Sequence, residues 1–358
     1  MHVVFAAGGT AGHVEPALTT ADALQQIDPS ITISFIGGSR GLERDLVPAR
    51  GFPLVMTTAE PLPRKLNARA LAFPAHTAKG FREAQAHLRS TGADVVVGFG
   101  GYAAIPGYLA AWRSKVPLII HEANSRAGFA NVLGAKLTRN VATVHPDALA
   151  PARRMSLPVR PAIAHLDRAK LRREARDFWG LHVDERVVLV FGGSQGARHL
   201  NEVVGESLER FAQSRIHVVH AVGRANELPP ESEFYHPVSY VDRMDLAYAA
   251  ADLAVCRSGA MTCAELSAVG LPAIYVPLPI GNGEQAGNSR PLVEAGGGLQ
   301  CADAELTAEW LTATVTSLVH DEKRLVQMSR VAGSFGDRDA DQEMATWIIE
   351  VIRQQRKG

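Results

Sequence analysis

Two doubly wound α/β domains in tandem are the fold class that this 358-residue sequence predicts. Three observations carry that expectation: the length, an alternation of short apolar runs with helical patterns, and an internal repeat. The length exceeds one ordinary domain and suits two of moderate size. Apolar runs at residues 2–6, 31–36, 94–99 and 117–121, and again at 186–191, 216–221, 252–256 and 272–276, suit strands buried on both faces. Between them lie stretches such as residues 15–27, where Leu18, Ala21, Leu24 and Ile27 recur at helical spacing. That alternation argues for parallel sheets covered by helices. In the repeat, Val3 to Gly12 (VVFAAGGTAG) is matched by Val187 to Gly196 (VVLVFGGSQG). Each reads as the first strand of a doubly wound domain running into a glycine turn and a helix.

The joint falls near residues 156–161, where Pro158 and Pro161 flank Arg160. The expected domains are residues 1–158 and 159–339, with a last helix in 340–358 that has no strand after it and packs back on the first domain. Thirty-seven basic against 37 acidic residues exclude a generic nucleic-acid binder, which needs a basic surplus. Cys256, Cys263 and Cys301 form no disulfide framework and no zinc spacing, so a reducing compartment is expected. The start lacks the basic region of a signal peptide. Uncharged stretches at 95–112 and 266–283 reach spanning length. Gly98, Gly100, Gly101, Pro106 and Gly107 in one, and Pro272, Pro277 and Pro279 in the other, read instead as strands and turns.

Both repeats end in Gly-Gly-x-x-Gly, a turn that lets N–H groups at a helix N-terminus face an anion. Any α/β domain needs tight turns, but two in equivalent positions point to paired phosphate sites. A dinucleotide fingerprint is absent: the spacing differs, and no acid closes the second strand, which ends at Gly37-Gly38 in one half and near Gly223-Arg224 in the other. His13 follows the first turn, where the helix dipole disfavours its protonated form and favours a neutral base; a capping histidine is the competing reading. Gly100-Gly101-Tyr102 and His121-Glu122-Ala123-Asn124 follow further strands, where open sheets deliver residues to a ligand. In the second half, Cys256 to Ala260 leads from strand to helix, and Glu265 stands two turns in with apolar neighbours. A carboxylate there suits ribose hydroxyls. Gln285 and Asn288, three apart on a helix, suit a sugar or a helix cap.

Six of these motifs, in order and at matching spacing, resemble the MurG family of peptidoglycan N-acetylglucosaminyltransferases over essentially the whole chain. They are Gly8-Gly9-Thr10-Ala11-Gly12-His13, Gly100-Gly101-Tyr102, His121-Glu122-Ala123-Asn124, Gly192-Gly193-Ser194-Gln195-Gly196-Ala197, Cys256-Arg257-Ser258-Gly259-Ala260 and Gln285-x-x-Asn288. The resemblance implies the GT-B fold, two Rossmann-like domains facing across a cleft. It implies inverting transfer of GlcNAc from UDP-GlcNAc to the 4-hydroxyl of MurNAc in lipid I, giving lipid II, with the acceptor on the first domain and UDP on the second. Carried over by position, Glu265 takes the ribose, Ser194, Met261 and Thr262 the diphosphate, and Val241 the uracil. Arg160, Gln285, Asn124 and the turn Thr10, Ala11, Gly12 complete the donor site. His13 is the expected base with Glu122 next in line, and Gly100, Gly101 and Tyr102 lie on the acceptor side. No cofactor or metal is implied. The implied location is the cytoplasmic face of the plasma membrane, as a peripheral protein among cell-wall synthesis and division partners.

The chain departs from the family's pattern at Ala11, where glycine is usual, and at Ala123, where glutamine is usual. A UDP-GlcNAc 2-epimerase, or a non-catalytic UDP-sugar-binding subunit, would share the two-domain plan. Arg64, Lys65, Arg69, Lys79 and Arg82, interleaved with Leu66, Leu71, Phe73 and Phe81 and free of acidic residues, suit an anionic membrane surface. Ordinary amphipathic packing is the competing reading of that segment.

Overall fold

The computed structural model describes residues 1–60, 68–193 and 196–357. The chain divides into two compact units, Met1–Arg160 with Asp339–Gly358, and Pro161–Arg338.

In the first unit, strands β1 (His2–Ala7), β2 (Thr32–Gly37), β3 (Leu54–Met56), β4 (Val95–Gly100), β5 (Leu118–Glu122), β6 (Asn140–Thr143) and β7 (Arg153–Arg154) form one parallel sheet. Their order is β3-β2-β1-β4-β5-β6-β7. Alternate residues feed opposite cores, as the two-residue period of a strand requires. Val3, Phe5, Phe35, Val97 and Ile119 face the helices Ala11–Ile27 and Ala340–Gln355, while Val4, Ala6, Ile36, Val96 and Ile120 face the helices Ala68–Thr91 and Ile105–Ser114. Phe5 stacks on Phe35 at 5.1 Å between ring centroids. The strand order reverses between β1 and β4, so the crevice beyond their C-terminal ends is the place for a ligand. There the β1–β4 register slips: Ala6 pairs with Gly98, but Ala7 pairs with Gly100. Such a bulge re-aims the chain leaving the strand.

The second unit repeats the plan. Strands β8 (Arg186–Phe191), β9 (Ile216–Ala221), β10 (Tyr235–Val238), β11 (Leu253–Cys256), β12 (Ala273–Tyr275) and β13 (Gly298–Gln300) are all parallel, in the order β10-β9-β8-β11-β12-β13. Val188, Val190, Val218, Val255 and Ile274 pack against the helices Arg198–Gln213 and Ala308–Val319. Its switch point lies between β8 and β11. The eight apolar runs read from the sequence are eight of these thirteen strands; β3, β6, β7, β10 and β13 are strands of two to four residues.

Behind the second sheet sits a buried guanidinium. Arg176, wholly enclosed, donates to the carbonyls of His182, Val183, Glu185 and Ala250 and pairs with Asp252 at 3.1 Å. The Asp252 carboxylate also accepts from the Val187 amide at the start of β8 and from Arg172. Removing one partner of such a pair leaves a buried charge uncompensated. Arg176→Ala is therefore expected to lower stability by about 3–5 kcal/mol, read as an earlier urea-unfolding transition; a midpoint equal to wild type would show the network to be dispensable.

Candidate active site

The first glycine turn is built from bare backbone. Gly9 takes φ +95°, and Thr10 is the extended residue before the helix Ala11–Ile27. Thr10 does not cap that helix with its side chain; its Oγ1 lies 3.1 Å from His13 Nδ1. Ala11 is helical and stays outside the left-handed region, so alanine in place of the family's glycine costs no strain. Gly12 follows, exposed to solvent.

The turn after β4 presses against it. Gly100 and Gly101 both take positive φ, +95° and +81°. A β-carbon on Gly101 would stand 1.9 Å from the Gly8 carbonyl oxygen, and one on Gly100 would stand 3.2 Å from His13 Cδ2. Tyr102 opens a short 3-10 turn beside Gly9, and burial followed by the nearby Glu43 charge raises its phenol pKa. Thr10, Ala11, Gly12, His13, Gly100, Gly101 and Tyr102 therefore share one edge of the sheet.

Glu122 closes β5 and is almost wholly buried. One carboxylate oxygen accepts from the Asn124 amide at 2.8 Å and its side-chain Nδ2 at 3.1 Å; the other accepts from Gly128 N and Asn131 Nδ2, each at 3.0 Å. Asn131 is fixed in turn by the Tyr108 hydroxyl, which donates to its Oδ1 at 2.9 Å and accepts from Gly100 N at 3.0 Å. With both oxygens occupied, Glu122 is arranged to hold the loop carrying Asn124. To accept a proton as the expected reserve base, it would have to give up some of those bonds. Asn131 and Tyr108 carry no motif signal, and only the fold brings them here. His13, half-buried, is held below the ordinary imidazole pKa of 6.5: loss of hydration outweighs the opposing pull of Glu122 and then Glu43. Arg160 is the last residue of this unit's main segment.

In the second unit, Gly193 and Gly196 take φ +93° and +73° in the turn after β8, and a β-carbon on Gly196 would stand 2.2 Å from Val222 O. Ser194 and Gln195, named from the sequence, lie outside the described residues. Beyond β11, Gly259 precedes the helix Ala260–Val269, whose first turn holds Met261 and Thr262. Glu265 is buried rather than solvated and accepts the Tyr248 hydroxyl at 2.7 Å. Ser258 Oγ is fully buried with no hydrogen-bond partner among the described residues. Gln285 uses its side-chain oxygen on Leu278 N at 3.0 Å, and Asn288 Nδ2 donates to Ser258 O at 3.2 Å, so part of each amide serves the loops. Val241 is buried after β10. Arg257 joins the carbonyls of Val276 and Pro277 to Asp303, tying three strand ends together. Tyr248 and Asp303 escaped the sequence reading because each meets its partner only through the fold.

The family pattern described as the glycosyltransferase family 28 N-terminal domain matches residues 3–143, and that of the family 28 C-terminal domain matches 187–344. A UDP-N-acetylglucosamine–N-acetylmuramyl-(pentapeptide) pyrophosphoryl-undecaprenol N-acetylglucosamine transferase of Streptomyces collinus is 53% identical over 99% of this chain and 100% of its own. The chain belongs to glycosyltransferase family 28. Among solved structures, MurG of Acinetobacter baumannii is 27% identical, with a TM-score of 0.77 over 98% of this chain and 99% of its own. A UDP-GlcNAc 2-epimerase of Neisseria meningitidis, 13% identical with a TM-score of 0.68 over 98% of this chain and 100% of its own, shares the fold alone.

Proposed function

We propose that the chain transfers GlcNAc from UDP-GlcNAc to the 4-hydroxyl of MurNAc in undecaprenyl-pyrophosphoryl-MurNAc-pentapeptide, forming lipid II with inversion. The observation that carries this is identity of 53% over the full length to a relative named for that transfer. The described geometry supports it in each unit.

His13 serves as the base. Its Nδ1 is engaged by Thr10, which leaves Nε2 to take the acceptor proton, and burial keeps the ring neutral near pH 7. In one displacement the acceptor O4–H bond breaks, O4 bonds to the sugar C1, and the C1–O bond to UDP breaks with its electron pair leaving on the diphosphate. Amides of Met261 and Thr262, at the N-terminus of the helix Ala260–Val269, are suited to that growing negative charge. The orphaned Ser258 hydroxyl just before it supports an anion there. Glu265, with one oxygen held by Tyr248, offers its carboxylate to the ribose hydroxyls. Ser194, Gln285, Arg160, Asn124 and Val241 complete the donor contacts, and Gly100, Gly101 and Tyr102 flank the acceptor.

A lipid acceptor calls for a membrane-facing surface, which we place on the basic segment of the first unit, toward the cytoplasmic leaflet. No helix of the described residues is long and apolar enough to cross a membrane. Arg64, Lys65 and Leu66 lie outside the described residues, as do the side chains of Arg69 and Leu71. Lys79 and Arg82 are exposed, Lys79 beside Glu83 at 3.9 Å. Phe81 instead packs against the core, which corrects its expected place as an apolar tip.

Incubation with UDP-GlcNAc and a short-chain lipid I analogue separates the readings: disaccharide supports the transferase, UDP-ManNAc the epimerase, and no product overturns catalysis. Glu265→Ala should weaken UDP binding about 10- to 150-fold by calorimetry, the value of a hydrogen bond to a charged group; unchanged affinity removes Glu265 from the site. His13→Ala should cost about 10²- to 10⁴-fold in kcat with UDP affinity kept. Because the His13 pKa is lowered, wild-type kcat should hold down to below pH 6.5 and fall as the imidazolium forms. A loss in His13→Ala of less than about threefold places the base elsewhere. Changing Arg64, Lys65, Arg69, Lys79 and Arg82 to Gln should reduce co-sedimentation with anionic vesicles at low salt; equal sedimentation rules this segment out.

A further inference from the structure

Glu43 opens the helix Glu43–Ala49 with its side chain fully enclosed, in a stretch without any motif. Its Oε2 accepts from Gly9 N and its Oε1 from Gly38 N, each at 2.8 Å. The neighbouring Leu42 N donates to Gly9 O at 3.3 Å, so this segment grips both polar groups of Gly9. Glycines make the room. A β-carbon on Gly8 would stand 2.5 Å from Oε1, one on Gly37 2.6 Å from Cγ, and one on Gly41 2.0 Å from Oε2. Both hydrogen bonds come from backbone amides, which solvate the carboxylate without neutralising it. Gly9 then leads into Thr10, whose Oγ1 holds His13.

We propose that Glu43 is the positioning residue of the His13 turn: it fixes Gly9, and through Gly9 the Thr10 that holds the imidazole, and it keeps a buried carboxylate at the base of that turn. The assignment rests on the transferase reading. Two charged groups act on His13 through space, Glu122 from the end of β5 and Glu43 from the turn after β2. Tyr102, from the turn after β4, lies against Gly9 and feels Glu43 and Arg40. Of these, Glu43 alone joins the charge to the backbone that carries His13. A fixed carboxylate stabilises the imidazolium as it forms, with no reorganisation at the moment of reaction.

Two variants separate charge from reach. Glu43→Gln keeps the size and removes the charge; Glu43→Asp keeps the charge but is one methylene too short to span Gly9 and Gly38 together. The readouts are the His13 imidazole titration by NMR, and kcat and KM with UDP-GlcNAc and a short-chain lipid I analogue across pH. In Glu43→Gln the His13 midpoint should fall. A weaker base stays neutral to lower pH, so the acid limb of kcat should move down with it. Its kcat should drop about 10- to 100-fold, the scale of a misplaced reacting group, while KM for UDP-GlcNAc stays within about twofold. Glu43→Asp should keep the midpoint near wild type and still lose kcat. A residue serving stability alone would leave both midpoint and limb in place, and that result in Glu43→Gln overturns the assignment. Should Glu43→Gln not fold, wild-type kcat in a folded Glu43→Asp overturns it instead. Absence of disaccharide with the wild-type enzyme sinks the transferase reading, while the NMR titration still decides whether Glu43 charges the His13 site.

Discussion

Contact between two stretches of bare backbone underlies everything at the first sheet's edge. The turn after β4 seats against the turn after β1 at a spacing that leaves no room for a β-carbon on Gly101, and Gly100 brings the same chain under the His13 ring. The one-residue slip between β1 and β4 delivers those glycines at the right height. Tyr108 depends on the same economy of space, since a β-carbon on Gly98 would stand 2.2 Å from its ring. From Gly100 the support runs through Tyr108 and Asn131 to Glu122, so the loop carrying Asn124 and the β4 turn form one hydrogen-bonded body beside the histidine.

The two units satisfy buried charge by opposite means. In the first, Glu43 and Glu122 draw amide hydrogens from turns and loops, and the carboxylates become the knots that hold glycine-rich backbone in place. In the second, Arg168, Arg176 and Arg257 collect carbonyl oxygens from strand and helix ends. Both arrangements meet the rule that a charge taken out of water must find hydrogen bonds in the protein.

Much of this was legible in the chain. The duplicated strand and glycine turn announced two doubly wound sheets, and the eight long apolar runs are their central strands. Short edge strands such as Arg153–Arg154 were not, because two residues carry no period and owe their pairing to the neighbour already in place. His13 was visible through its turn, and burial of Glu265 agrees with the apolar residues around it. Glu43, Asn131, Tyr108 and Tyr248 were silent: their partners lie up to tens of residues away, and an isolated Glu, Asn or Tyr has no spacing to betray it. Glu122 could be placed but its hydrogen-bond load could not, and Ala11 looked unusual only until its helical backbone was known.

The return of the helix Ala340–Gln355 to the first unit bears on how the molecule is made. Met344, Ala345, Ile348 and Ile352 sit in the same core as Val3 and Phe5, and Arg356 pairs with Asp94 at 2.8 Å. Chains emerge from the ribosome N-terminus first, and domains generally fold in that order. Here the first unit lacks the helix Ala340–Gln355 until the whole of Pro161–Arg338 has been made. Pro161–Arg338 is made while the first sheet has the helix Ala11–Ile27 on that face but not yet its partner, so the growing chain carries a part-covered apolar face through the synthesis of the whole second unit.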